Sequence, residues 1–275
     1  SLRIKLFDLA IKSGFSIPTI ISPRAYASKH AIVGKGTVVM HDALVNANAK
    51  IGENVKIGNY VVVKDNVIIG DGTVIGDFCI IGESITISST PLIIGKQSLI
   101  RSHSVLYESA IIGNDFVCGH NVQVRENSKI GKNCQIGSNS DLQGDLDFGN
   151  FSRTQSNVFI GKYSKIEEFA WILPNVSLLN DLTPPSNNLK GPIIKSFAVL
   201  CANSTIMPNI TIGSQCVIGA NSLVTRSTQS GYLYLGSPAK KTKKVQEIYF
   251  NKNTPAYPWT KRFFRGYPDE EINNW

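Results

Sequence analysis

A chain of 275 residues, 42% hydrophobic and 17% charged with a net charge of +8, is long enough for one large domain or two small ones. No apolar run reaches the ~18 residues of a membrane span, the start SLRIKLFDLAIKSGF lacks a signal peptide's long apolar region and cleavage site, and five cysteines without a CxxC pair argue against a zinc ribbon or disulfide framework and fit a reducing cytoplasm. The positive charge would suit nucleic acid, an acidic membrane surface or phosphorylated ligands, but the basic residues are scattered, densest at KKTKK (240–244), and no basic stripe with interleaved aromatics supports nucleic acid.

Residues 2–13 read as a short helix with Leu2, Leu6, Leu9 and Ala10 on one side, expected to cap one end of the molecule. From Val33 an aliphatic residue recurs every six positions: Val39, Val45, Ile51, Ile57, Val63, Ile69, Ile75, Ile81 and Ile87. After one inserted residue the count resumes at Ile94 and runs to Leu178; after a longer break it runs from Ile194 to Val224. The position four later in each unit is small or apolar (Thr37, Ala43, Ala49, Val55, Val61, Val67, Thr73, Cys79), and neither position is charged in any run. Four of the five cysteines fall on these positions, which makes them filler for an interior.

A period of six suits neither a 3.6-residue helix nor a plain hairpin. It predicts an all-β solenoid in which each hexad is one side of a prism and three hexads make a turn. About ten turns at about 4.8 Å each give a length of roughly 48 Å. Glycine after the aliphatic residue, as at Gly52, Gly76 and Gly137, turns a corner where a Cβ would clash. The break LNDLTPPSNNLKGP inserts ten residues and reads as a loop over 179–193, either a surface insertion or the wall of a cleft. PAKKTKKVQEIYF, after YLYLGSP, reads as a C-terminal cap helix, and the aromatic tail behind it is too irregular to assign. The division is therefore 1–20 for the helix and lead-in, 21–230 for the prism, and 231–275 for the cap helix and tail.

Residues 18 apart stack on one face. His103, Asn121, Asn139, Asn157 and Asn175 form one column, and Ser102, His120, Ser138 and Ser156 its neighbour, which sets His103 and His120 about one turn apart. An asparagine ladder can be purely structural.

The repeat resembles the left-handed parallel β-helix of hexapeptide-repeat acyltransferases, and the left hand follows from that resemblance. GFSIPTIISPRAYAS and GTVVMHDALVNANAKIG are similar to sialic-acid and bacillosamine-type sugar acetyltransferases, in which a Rossmann-like nucleotide-sugar domain precedes the prism. Here some fourteen residues precede it and no GxGxxG occurs, so that domain is absent or the nucleotide sugar is held elsewhere. GNDFVCGHNVQVRENSKIGKNCQIGS and RSHSVLYES resemble the same group of N-acetyltransferases. The resemblance implies His120 as catalytic base, with Arg101, His103, Tyr107, Asn121, Arg125 and Glu126 around the sugar nucleotide. ILPNVSLLND before proline resembles a stretch that implies catalytic roles for Asn180 and Asp181. The late turns, CANSTIMPNITIGSQCVIGANSLVTRST and YLYLGSPAKK, resemble the coenzyme A end of the family and imply Ala202, Ala220, Arg226, Lys240 and Lys241.

The function so implied is acetyl-CoA-dependent N-acetylation of a nucleotide-linked deoxyamino sugar for surface polysaccharide (O-antigen), with acetyl-CoA as co-substrate and no metal. An amine attacking a thioester generates an oxyanion that needs a donor and an ammonium that must lose a proton, a task suited to neutral imidazole. The resemblance further implies a homotrimer with sites between neighbours, in the cytoplasm, without nucleic acid or membrane as partner. An O-acetyltransferase of the same fold is the alternative. A γ-type carbonic anhydrase needs three converging histidines, and only His103 and His120 are near each other; a mere scaffold does not account for the loop and the matched polar stretch.

Overall fold

The computed structural model describes residues 2–84, 90–263 and 267–274. The chain divides into two compact units, Ser1–Lys132 and Asn133–Trp275.

In the first unit the described hexads yield short strands, of two residues except Ile80–Glu83 and Val105–Tyr107, and consecutive strands pass to three parallel sheets in turn. One sheet stacks Ile20–Ile21, Val38–Val39, Lys56–Ile57, Val74–Ile75, Leu99–Ile100 and Val117–Cys118. The other two also hold six strands each. The second unit repeats the plan, with five, five and four two-residue strands in its sheets. The coils are thus slightly more numerous than the ten expected. The second residue of a strand points inward: Ile57, Ile75, Ile100, Ile136 and Leu200 have no accessible surface. Each such burial contributes about 1.5–3 kcal/mol. The position four later is buried as well, and where it is polar it is satisfied: Thr37 Oγ1 donates to Gly52 O at 2.8 Å and accepts from Val55 N at 3.0 Å.

The corners explain two further features of the sequence. At Gly76 a Cβ would come within 2.7 Å of the Ser102 amide in the next coil, so the stack closes only around glycine. Among the described residues, 25 non-glycine positions have φ between +47° and +64°, and 12 of them are Asn. Asparagine tolerates the left-handed region best of the side-chain-bearing residues. The predicted column of Asn121, Asn139, Asn157 and Asn175 is made of these corner residues, and so is His103.

Three expectations are corrected. Residues Leu2–Lys12 do form helix α1, but it lies along a flank and does not cap an end. Ile4 packs on Gly72 and Phe7 on Gly36, and Arg3 donates to Asn54 O and Gly36 O at 3.0 and 3.1 Å, so α1 spans three successive coils. Gly36 and Gly72 both have φ +68°, and the missing side chains make room for Phe7 and Ile4. Leu2, Leu6 and Leu9 consequently face outward, 72, 55 and 60% exposed.

The break near residue 87 is larger than one residue. Ile69 pairs with Ile94, Ile75 with Ile100 and Ile81 with Leu106, each 25 residues on where 18 makes a turn. This turn is therefore seven residues longer than the others, and the hexad position assigned to Ile87 lies outside the described residues.

The C-terminal cap helix is absent. Tyr232–Gly236 pairs in parallel with Val217–Ile218, and Ala239–Lys244 returns antiparallel to it. Over Ala239–Lys244 a helix would have only Ala239 to bury, whereas the last coil offers unpaired backbone groups that a hairpin satisfies. The exposed lysines of Lys240–Lys244 then make the new edge unattractive for further pairing.

The described residues of the aromatic tail, which the sequence left unassigned, pack on the coils. Phe151, Phe169 and Phe197 stack at successive corners with centroids 4.9 Å apart, and Trp259 and Tyr267 close over them. The Trp171 indole donates to the Tyr267 hydroxyl at 2.8 Å. No described helix is long and apolar enough to cross a membrane.

Candidate active site

The predicted site residues fall in both units, and each group stands on its own. In the first unit Ser102 and His120 occupy equivalent positions of adjacent coils, and the Ser102 hydroxyl meets His120 Nδ1 at 2.7 Å. His120 is exposed at the coil's edge and Ser102 partly covered. The Ser22 hydroxyl meets His41 Nδ1 at 2.6 Å, but these two residues are 19 apart and lie one position out of register, so the in-register pair is Ser102 and His120.

His103 has a different setting. Its ring lies over Phe78 at 5.1 Å, and Phe78 lies over Tyr60 at 5.0 Å, so it ends an aromatic ladder along a corner. Asn121 is the corner residue after His120, its amide donating to Ser102 O at 3.0 Å. Arg125 Nε donates to Glu126 Oε2 at 3.2 Å, and its guanidinium carbon lies 5.7 Å from the centre of the Tyr107 ring. These three residues are therefore together. Arg101 is exposed, and its carbonyl accepts from Cys79 Sγ at 3.1 Å. Burial raises the Cys79 thiol to about 11 and Cys118 to about 12, so neither serves as a nucleophile.

In the second unit the loop after Leu178 is closed at its neck, where Lys190 N donates to Asn180 O at 2.7 Å. The Asn180 side chain rests on Gly161, where a Cβ would come 2.9 Å from Asn180 Cγ. Asp181 turns into its own loop. Its carboxylate accepts from the Ser186 hydroxyl at 2.7 Å, Ser186 N at 2.8 Å and Thr183 N at 3.1 Å. These bonds, the Ser186 hydroxyl foremost, hold its pKa below the usual carboxylate range.

Ala202 and Ala220 lie at equivalent corners of adjacent coils, joined where Asn221 N donates to Ala202 O at 3.0 Å. Arg226 is exposed after the last strand of its coil. Lys240 and Lys241 sit on the edge strand of the hairpin, and Lys241 Nζ lies 4.6 Å from the centre of the Tyr232 ring and donates to Gln229 Oε1 at 3.2 Å.

Two features have no local signature in the sequence. Ser102 is visible there as the column neighbour of His120, yet only the stacked coils show its hydroxyl on Nδ1. The packing of the aromatic tail on Trp171 leaves no signal, because Trp171 and Tyr267 lie 96 residues apart along the chain.

The bacterial transferase hexapeptide family (six repeats) matches residues 30–65, 48–83 and 191–226. A putative serine acetyltransferase of Schizosaccharomyces pombe is 29% identical over 92 residues, 34% of this chain and 33% of that protein. The chain thus spans about a third of the length of this curated relative. Among solved structures, LpxA, a UDP-N-acetylglucosamine acyltransferase from Bacteroides fragilis, is similar with a TM-score of 0.54 at 18% identity, over 93% of this chain and 81% of that one. At that identity the likeness establishes the fold alone. The acetyltransferase domain of PglB from Neisseria gonorrhoeae, in complex with acetyl coenzyme A, is 23% identical over 47% of this chain and 59% of that one, with a TM-score of 0.43. Three stretches of the chain thus match bacterial-transferase-type hexapeptide repeats, its strands stack in parallel as a β-solenoid, and the named proteins that it resembles are acyltransferases.

Proposed function

We propose that the chain is an acetyl-CoA-dependent N-acetyltransferase acting on the amine of a nucleotide-linked deoxyamino sugar in surface polysaccharide biosynthesis, working in the cytoplasm as a homotrimer. The Ser102–His120 hydrogen bond carries this reading. With the proton on Nδ1 donated to Ser102, Nε2 becomes the basic nitrogen of the ring.

The amine nitrogen attacks the thioester carbonyl, the C–S bond breaks, and coenzyme A leaves as thiolate. The developing ammonium gives its proton to His120 Nε2, which returns it to the thiolate or to water. Tyr107, Arg125 and Glu126, already in contact, face the sugar nucleotide together with Arg101, His103 and Asn121. Asn180 orients the acceptor or the thioester carbonyl, while Asp181 fixes the loop that carries it. Ala202, Ala220, Arg226, Lys240 and Lys241 hold coenzyme A. Inward side chains such as Ile57 and Leu200 fill the described coils, which favours clefts between copies as the place for the reaction.

The test supplies acetyl-CoA with a panel of amino nucleotide sugars and follows free thiol. Release that requires both an amino sugar and the enzyme supports the reading; equal release with the deaminated sugars removes it.

A further inference from the structure

In the second unit the C-terminal segment folds over one sheet and leaves a partly open cavity of about 260 Å³. Trp171, Leu173 and Val199 form its floor; Tyr257, Trp259, Arg262 and Phe263 come from the tail.

The aromatic surfaces are held without a ligand. Trp171 is pinned by its bond to Tyr267, meets the edge of Phe263 at 5.1 Å and leans on Trp259 at 5.6 Å. A ligand entering such a preformed cleft has little ordering to impose. Among the described residues Arg262 is the one charged group on the lining, and no acidic side chain shares it. Arg262 Nε donates to Ala256 O at 2.8 Å, which fixes the guanidinium plane, and Phe250 lies beneath it at 4.9 Å.

Size and chemistry narrow the occupant. A dry cavity of about 150 Å³ admits benzene, so this one admits a substituted ring or two fused rings. Indole and phenol walls favour a planar π system over a saturated chain. A fixed guanidinium favours carboxylate or phosphate. We propose that this cavity binds a planar aromatic group of one or two rings that carries a carboxylate or a phosphate. A nucleotide and an aromatic carboxylic acid both present that chemistry. The site does not depend on the acetyl transfer proposed above.

Two of the chain's three tryptophans line the cavity, so indole fluorescence reports occupancy. The full chain is titrated with uridine 5′-monophosphate, phenylacetate, uridine and octanoate. Saturable quenching by the monophosphate or by phenylacetate is expected, and which of the two acts identifies the source. Uridine, without the anion, should bind about tenfold or more weakly. Arg262→Gln should weaken the ring anion by a similar factor. Leu173→Phe, which fills the floor, should abolish quenching with an unchanged melting temperature. The proposal is overturned if neither ring anion quenches, if octanoate binds as well as they do, or if both variants bind as the parent does.

Discussion

The Ser102 hydroxyl and His120 Nδ1, 18 residues apart in sequence, meet at 2.7 Å because one turn of the coil brings them into register. A neutral hydrogen bond of this kind contributes about 1 kcal/mol net. Ser102→Ala should therefore lower kcat/KM about fivefold, mostly in kcat, with little change in melting temperature, and Ser102→Thr should restore it. Steady-state kinetics checks this; a Ser102→Ala enzyme with parental kcat would remove Ser102 from the reaction.

His120→Ala should be most damaging near neutral pH and should recover as pH rises, because the acceptor amine then sheds its proton unaided. General-base catalysis contributes about 10²–10⁴-fold, and the basicity of the amine puts the expected loss at the low end. The profile of kcat/KM from about pH 6 to pH 9 decides it. Identical profiles for parent and variant would assign the proton to thiolate or solvent. A loss equal at every pH, with a raised KM for the sugar, would make His120 a binding residue.

The loop carries two separable roles. Asn180→Ala should reduce turnover more than it lowers the melting temperature, and parental kinetics would return the loop to a plain surface insertion. Asp181 is held below the ordinary carboxylate range by Ser186 and Thr183. A lowered folded pKa stabilises the loop fully above the unfolded value, and that stabilisation is lost as pH falls through the folded one. Hydrogen exchange at the Thr183 and Ser186 amides should thus stay protected through neutral pH and lose protection only in acid. Asp181→Asn should lose it at neutral pH as well; equal protection in the variant would contradict the role given to the carboxylate.

Ile136 has no accessible surface on the axis of its coil. Ile136→Asp places an unpaired charge there, which should cost about 4 kcal/mol or more. Thermal denaturation measures it, and a variant that melts with the parent would mean that the inward register is wrong.

The hexad was legible because one physical demand recurs from coil to coil: an inward residue such as Ile136 and a small residue such as Thr37 behind it, with a glycine such as Gly76 at many of the places where coils touch. Other features depended on partners distant in sequence. The leucine stripe of α1 suggested a buried side, but the side that packs was chosen by Gly36 and Gly72. KKTKK carried helix-compatible residues, and an open sheet edge recruited it as a strand. Trp171 and Tyr267 are 96 residues apart, and nothing local in either announces their hydrogen bond. In the candidate site Tyr107 and Arg125 lie 18 residues apart, so the period stacks them, whereas a role for them was read only from two resembling stretches. The inward turn of Asp181 was not legible, since it depends on where Ser186 folds back.

The most direct test of acetyl transfer to a sugar amine is the product itself. The chain is incubated with acetyl-CoA and an amino nucleotide sugar, and the product is weighed by mass spectrometry before and after mild alkali. The account predicts a gain of one acetyl group that survives alkali, as an amide does. An acetyl group removed by alkali, or one transferred equally to the sugar lacking the amine, would contradict it.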